Sequence, residues 1–119
     1  MLNDASCFQH VYIKIGYTDL RKGIDALVDM VSDEFHLDPT QQGNLFLFCG
    51  RRTDRIKGLT YEGDGYLLLY KRLAGDGRFK WPRSADEVQE ITSQQYRWLM
   101  EGLSLEQKKT IQPVSVKVL

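Results

Sequence analysis

Basic side chains are concentrated in the middle of this 119-residue chain. Residues 51–83 carry nine Lys or Arg and four Asp or Glu, a net charge of +5, whereas residues 1–50 have a net charge of −4 and residues 84–119 of −1. Because the whole chain is neutral, its overall charge conceals this block. The asymmetry favours binding of a polyanion, and a solvated, charged sheet face is the alternative.

Two segments hold cations in patterns suited to phosphate. In residues 16–23, Arg21 and Lys22 follow Thr18, which is typical of a helix N-cap, and free N–H groups at a helix start attract anions. Residues 50–57 predict a turn between strands with arginines at its tip, and an arginine fork matches two phosphate oxygens. A solvated helix start and a solubilising loop are the plain alternatives. The cations of the second segment are Arg51, Arg52, Arg55 and Lys57.

A third segment, residues 66–82, interleaves basic and aromatic side chains. Such interleaving suits a surface that follows a nucleic-acid backbone and stacks on bases. Tyr and Trp also fill ordinary cores, and we favour core packing for Tyr66 and Tyr70, less so for Trp81 beside a predicted strand end. The candidate nucleic-acid contacts in this segment are Lys71, Arg72, Arg78, Lys80 and Trp81.

Catalytic chemistry has little support in the residue types. A metal-dependent nuclease needs several carboxylates that converge on paired metal ions, whereas Asp54, Asp64 and Asp76 fall in predicted turns that explain them without a metal. His10 and His36 are isolated, and no spacing suggests a Ser/His/Asp or Cys/His pair. We therefore expect no catalytic residue, no metal and no cofactor, and a small metal-dependent nuclease is the alternative.

Composition and length are those of a globular protein. Apolar residues make up 42% and charged residues 27% of the chain, ordinary values that predict one domain over residues 1–119, with residues 104–119 a less certain tail. Cys7 and Cys49 are too few for a disulfide framework and lack metal-ligand spacing. With no signal peptide or membrane-length apolar run, we expect a cytoplasmic protein with reduced thiols and no membrane partner.

Hydrophobic periodicity predicts the elements that must position these residues. We expect a strand over residues 10–15 and then a helix from Asp19 to residue 35, capped by Thr18. An antiparallel β-meander follows, with hairpin signals between its strands. The run at residues 45–49 is apolar on both faces and is therefore expected to be a central strand. The other predicted strands of the meander are residues 56–62, residues 66–73 and, as a candidate, residues 78–81.

The C-terminal part predicts a second helix. Residues 87–91 have an extended pattern, Thr92 or Ser93 can cap the helix, and Gly102 can end it. In the tail, alternation of Val114, Val116 and Val118 predicts an edge strand or a contact between copies of the chain. The fold class expected is α+β, with an antiparallel meander of four to five strands, two helices, and the N-terminal strand and helix preceding the meander.

The motifs together resemble one known family. The TnpB accessory proteins of insertion sequence sixty-six elements, a second-open-reading-frame-like family, show similar motifs in the same order. The resemblance covers residues 11–102, and the family is unrelated to the RNA-guided nucleases that share the TnpB label. The motifs are GYTDLRKG at residues 16–23, GRRTDRIK at residues 50–57, GYLLLYKRL at residues 65–73 and FKWP at residues 79–82.

This resemblance implies a non-catalytic accessory role in transposition of a bacterial insertion sequence, with strand transfer by a separate, larger transposase. Together with the basic block it predicts binding to DNA phosphates at the element ends, and docking onto the large transposase or the other accessory protein is the alternative. Leu20 stands where the family usually has methionine, and Thr60-Tyr61 where tryptophan is common. The turn at residues 75–77 is also longer, but none of these departures changes a basic position.

Overall fold

The structure, a computed structural model, describes residues 2–84 and 87–107. Within these ranges the chain forms a five-stranded sheet in the spatial order β4–β3–β2–β1–β5, together with helices, which confirms the predicted α+β class. A π-helical turn, Met30–Glu34, continues directly from α1. The elements are β1 (His10–Lys14), α1 (Ile24–Asp29), β2 (Asn44–Cys49), β3 (Arg55–Tyr61), β4 (Tyr66–Arg72), β5 (Val88–Ile91) and α2 (Ser93–Met100).

The sheet is mixed, and the predicted antiparallel meander forms part of it. Strands β2, β3 and β4 do pair antiparallel as hairpins, and β5 pairs antiparallel with β1. Strand β1, however, runs parallel to β2. A parallel pair needs a crossover connection, and residues 15–43, which include α1, provide it.

Apolar side chains cover both faces of the sheet. All six residues of β2 are buried, as the predicted central strand requires. Phe46 and Phe48 pack with residues of α1 on one face. Leu45 and Leu47 pack on the other face, in a cluster that also contains residues of α2. This arrangement follows from the strand period of two, which sends alternate side chains to opposite faces.

The segment at residues 78–81 does not form the strand that its pattern predicted. Its backbone is irregular, and Phe79 N–H donates to the Thr53 carbonyl (2.7 Å). Trp81 is only 5% exposed, and its indole Nε1 donates to the Lys14 carbonyl at 2.8 Å. The expectation of a base contact at Trp81 is therefore corrected, because a ring enclosed in the core cannot stack on a nucleobase.

The first helix begins five residues later than predicted. Thr18 N–H donates to the Cys49 carbonyl (2.7 Å), and the Asp19 carboxylate accepts from Arg21 N–H (3.0 Å), closing a turn. Gly23 occupies the N-cap position of α1. The predicted cap at Thr18 is wrong, because α1 starts at Ile24 and the buried Thr18 hydroxyl accepts no N–H of the helix in the described part of the chain.

The second helix has the start that its sequence predicted. The Thr92 hydroxyl accepts from Gln95 N–H (3.1 Å), and Thr92 N–H donates to the Gln95 side-chain oxygen (2.9 Å). This reciprocal capping box satisfies N–H groups that a helix start leaves without partners. Gly102 follows with a φ of +81°, as a helix-ending glycine does. The valine alternation predicted for the tail lies outside the described residues.

Candidate nucleic-acid interface

One edge of the sheet gathers the three basic segments. Since β1 and β2 are parallel, their carboxyl ends meet at this edge, where β3 also begins and β4 ends. Backbone hydrogen bonds join the connecting loops there, such as Leu73 N–H to the Asp54 carbonyl at 2.7 Å. Residues 16–21, 50–55 and 72–78 are thus neighbours in space although they are distant in sequence.

A cleft of about 580 Å³ opens between the first two of these segments. Its walls combine four arginines with two tyrosines, so positive charge and aromatic rings face the same space. The lining residues are Tyr17, Thr18, Asp19, Leu20, Arg21, Gly50, Arg51, Arg52, Arg55 and Tyr70.

Arg51 and Tyr17 form one wall of the cleft. The Arg51 guanidinium carbon lies 4.8 Å from the centroid of the Tyr17 ring, and Nη2 donates to the Tyr17 hydroxyl at 3.0 Å. A guanidinium over an aromatic face is attracted by the ring quadrupole. The contact fixes the direction of an otherwise flexible arginine, so Arg51 is held in place with donors to spare.

Arg83 supports the same wall from behind. Its guanidinium Nη2 donates to the Gly50 carbonyl at 2.7 Å and to the Arg51 carbonyl at 3.3 Å. These bonds brace the turn that presents Arg51. Neither Arg83 nor Tyr17 was among the predicted contacts, although Tyr17 lies inside the first motif and Arg83 directly follows the last one.

Two of the cleft arginines are paired with carboxylates. Arg21 Nη2 lies 2.7 Å from Asp19, and Arg55 Nε lies 2.9 Å from Asp54. The hydrogen bonds from each arginine side chain are the largest cause of a lowered pKa in its partner acid. Both acids therefore remain ionised at neutral pH, and four arginines with two aspartates leave a local net charge of +2.

Arg52 has a different environment from its neighbours. It is exposed at the tip of the turn and makes no hydrogen bond or ion pair with the described part of the chain. Its charge acts on the nearby Asp54, where it contributes to the lowered pKa of that acid. The Arg52 guanidinium can therefore reach a ligand without giving up a protein partner.

Tyr70 also lines the cleft and is 56% exposed, so the favoured prediction of core packing is wrong for this residue. Lys57 Nζ lies 5.8 Å from the centroid of the Tyr70 ring and donates to the Lys22 carbonyl at 3.1 Å. Strand β3 is thereby tied to the first basic segment. Tyr66, by contrast, is partly buried and packs against the core, as the core interpretation expected.

The remaining predicted cations divide between the cleft edge and other parts of the surface. Arg72 is paired in register with Arg55 and lies beside the cleft on the same face of the sheet. Arg78 is exposed on the loop at this edge and donates to the Gly77 carbonyl. Lys71 points to the opposite face, where it donates to Asn3. Lys80 lines a separate cleft. The expectation of one surface for all the cations is thus incorrect for Lys71 and Lys80.

The carboxylates do not form a metal site in the part of the chain that the structure describes. Residues 2–84 and 87–107 contain no group of three or more His, Cys, Asp or Glu placed to hold a metal ion. In the same ranges no helix combines the length and the apolar surface needed to cross a membrane.

Comparison with known proteins agrees with this motif pattern. A family model described as IS66 Orf2 like protein matches residues 9–110. The uncharacterized protein y4hO of Sinorhizobium fredii is 37% identical over 93 residues, covering 78% of this chain and 79% of the relative. The uncharacterized protein y4jC of the same organism is 31% identical over 85 residues, covering 71% of each. No solved structure matches the chain.

Proposed function

Because the chain belongs to the IS66 Orf2 like family, which connects it with transposition, we propose that it is a non-catalytic accessory protein that binds DNA phosphates at the element ends. The observation that carries this proposal is the convergence of residues 16–21 and 50–55 around one cleft with four arginines. Under this proposal the protein acts in the bacterial cytoplasm, beside the larger transposase and the other accessory protein.

The cleft suits contact with the DNA backbone better than reading of base edges. Arginine forks match phosphate oxygens, and such contacts position a protein on DNA without carrying sequence information. The cations here come from loops at a sheet edge, whereas an element that enters the major groove is usually an exposed helix or a β-ribbon. We therefore expect DNA binding with weak sequence preference.

Charge reversal in the cleft tests the proposal. The double variant Arg51→Glu with Arg52→Glu should weaken binding to labelled DNA by at least about tenfold at low salt, because two phosphate donors become repulsive. Binding is measured by fluorescence anisotropy on a duplex carrying the element end. Raising salt from about 50 mM to about 200 mM should weaken wild-type binding, since phosphate contacts release counterions.

Lys71→Glu with Lys80→Glu is the matched control, since it changes the net charge by the same amount away from the cleft. This control should retain most of the wild-type affinity. Absence of binding at low salt, binding that does not depend on salt, or equal losses in the two double variants would contradict the proposal.

A second candidate function, docking onto the transposase, is supported by strand β4. It is the outermost strand of the described sheet, and its residues Leu67, Leu68 and Leu69 are only partly buried. An edge strand has backbone N–H and C=O groups that can pair with a strand of another protein. Co-purification with the transposase in the absence of DNA would support docking. If the Arg51→Glu with Arg52→Glu variant kept its DNA affinity but lost that co-purification, docking would replace DNA binding as the function of the cleft.

A further inference from the structure

The cleft has features that a site for DNA phosphates alone does not need. Building on the proposed DNA binding, we propose that it seats an unpaired nucleotide of single-stranded DNA, with the base stacked on Tyr70 and the adjoining phosphates held by Arg51 and Arg52. Proximity of aromatic and cationic side chains in this cleft is the observation on which the inference depends.

Exposed aromatic surface is concentrated at the cleft. Among the described residues, the large apolar side chains that are most exposed are Tyr17, Tyr70 and Leu103. Both tyrosines line the cleft. Apolar surface left in water is unfavourable, and an exposed aromatic wall next to cations suits a ligand that carries both a flat ring and negative charge.

Each tyrosine also has a cation close to its ring. Arg51 lies over the Tyr17 ring and Lys57 over the Tyr70 ring, at 4.8 and 5.8 Å from the ring centroids. These contacts hold the rings as platforms, while more than half of each tyrosine remains exposed. A nucleobase can stack on such a ring whatever its sequence, because every base has a π-face.

Donors for phosphate lie within the same space. Arg52 makes no hydrogen bond or ion pair within the described ranges, and Arg51 uses one of its five N–H groups on Tyr17. By contrast, Arg21 and Arg55 are already paired with Asp19 and Asp54. The turn at residues 50–54 thus supplies the two arginines that are not paired with an acid, in the same cleft as the exposed ring of Tyr70.

Shape favours a single strand over a duplex. In a duplex the bases stack on each other, so their faces are not available to a protein ring along the helix. A volume of about 580 Å³ lies within the range of pockets that enclose a small organic ligand, and a nucleotide is of that class. A duplex placed on this edge would meet the arginines but leave the tyrosine rings without a partner.

The experiment compares three probes of roughly 12 nucleotides: a thymidine single strand, a duplex, and a single strand with abasic sites in place of bases. Wild-type protein should bind the thymidine strand most tightly. Tyr70→Ala should weaken that complex by roughly 5- to 150-fold, the range for loss of one stacked base, and should leave binding to the duplex and abasic strand nearly unchanged. Tyr70→Phe, which keeps the ring, should retain the preference.

Tyr66→Ala is the matched control, because Tyr66 lies on the same strand and face as Tyr70 but outside the cleft. It should leave the preference for the thymidine strand intact. If the duplex binds as tightly as the thymidine strand, or if Tyr70→Ala weakens all three probes equally, the inference is overturned while the proposed phosphate binding stands. If none of the probes binds at low salt, both proposals fail.

Discussion

The two thiols of the chain differ in their access to solvent. Cys49, at the end of β2, is fully buried, whereas Cys7 is exposed. Burial is the main reason that the pKa of the Cys49 thiol is raised to about 11. Only the thiolate is a good nucleophile, so a raised pKa lowers the reactive fraction of Cys49 at neutral pH.

Thiol labelling of the native protein should therefore proceed in two separate phases. Cys7 should react with a maleimide reagent quickly, and Cys49 should react only when the protein unfolds. Mass spectrometry of a labelling time course, with and without denaturant, measures both phases. Cys7→Ser should remove the fast phase and preserve the slow one, and fast addition of two labels to the native wild type would contradict the burial of Cys49.

At the scale of elements, the turn between β3 and β4 depends on one glycine. Gly63 has a φ of +97°, whereas Gly65 does not lie in the left-handed region. Gly63→Ala should destabilise the fold by about 1–2 kcal/mol, since a side chain is disfavoured at such a φ. Urea unfolding measures this difference.

Gly65→Ala is the control for that measurement, because an added methyl at Gly65 would meet no other atom within 4 Å. Its free energy of unfolding should stay close to that of the wild type. Equal destabilisation by the two alanine variants would contradict a cost specific to Gly63, where an added methyl meets both a positive φ and the Gln42 side chain at 3.1 Å.

How far the sequence predicts these elements depends on whether the deciding contact is local. The capping box of Thr92 and Gln95 lies within four residues and was recognisable. Thr18 carries a similar local signal, but it lies five residues before the N-cap Gly23, where its N–H donates to the carbonyl of Cys49, 31 positions away in the sequence. The parallel pairing of β1 with β2 was missed for the same reason, since alternation along a strand does not specify its neighbour.

Prediction of the site residues was limited in the same way, because contacts between residues distant in sequence decide which side chains line the cleft. The motifs identified the arginines that line the cleft, although a solvated helix start and a solubilising loop explained the same residues. They did not identify Tyr17, whose exposure depends on the loop that follows β1, or Arg83, which acts through the backbone of residues 50 and 51. For Tyr70 the residue type favoured burial but the ring is exposed, and for Trp81 it favoured exposure but the ring is buried. An aromatic ring in or beside a strand suits either environment.

For the molecule as a whole, the distribution of charge matters more than its sum. The chain is neutral, yet the cleft has a local net charge of +2 from four arginines and two aspartates. Polyanion binding is therefore expected to depend on orientation, with one edge of the sheet facing the DNA and the opposite surface facing away. Long-range attraction by net charge is absent, so affinity should come from close contacts.

The salt dependence of DNA binding measures how many phosphate contacts the protein makes. For a single strand, the slope of log K against log salt is about −0.7 per phosphate neutralised, so two to four arginine contacts predict a slope between about −1.5 and −3. Arg52→Ala should reduce the magnitude of the slope by about 0.7, because one phosphate contact is lost. Lys80→Ala should leave it unchanged, since Lys80 lines another cleft. A slope much steeper than −3, or one that both variants reduce equally, would mean that the polyanion lies over a wider surface than the edge formed by residues 16–21 and 50–55.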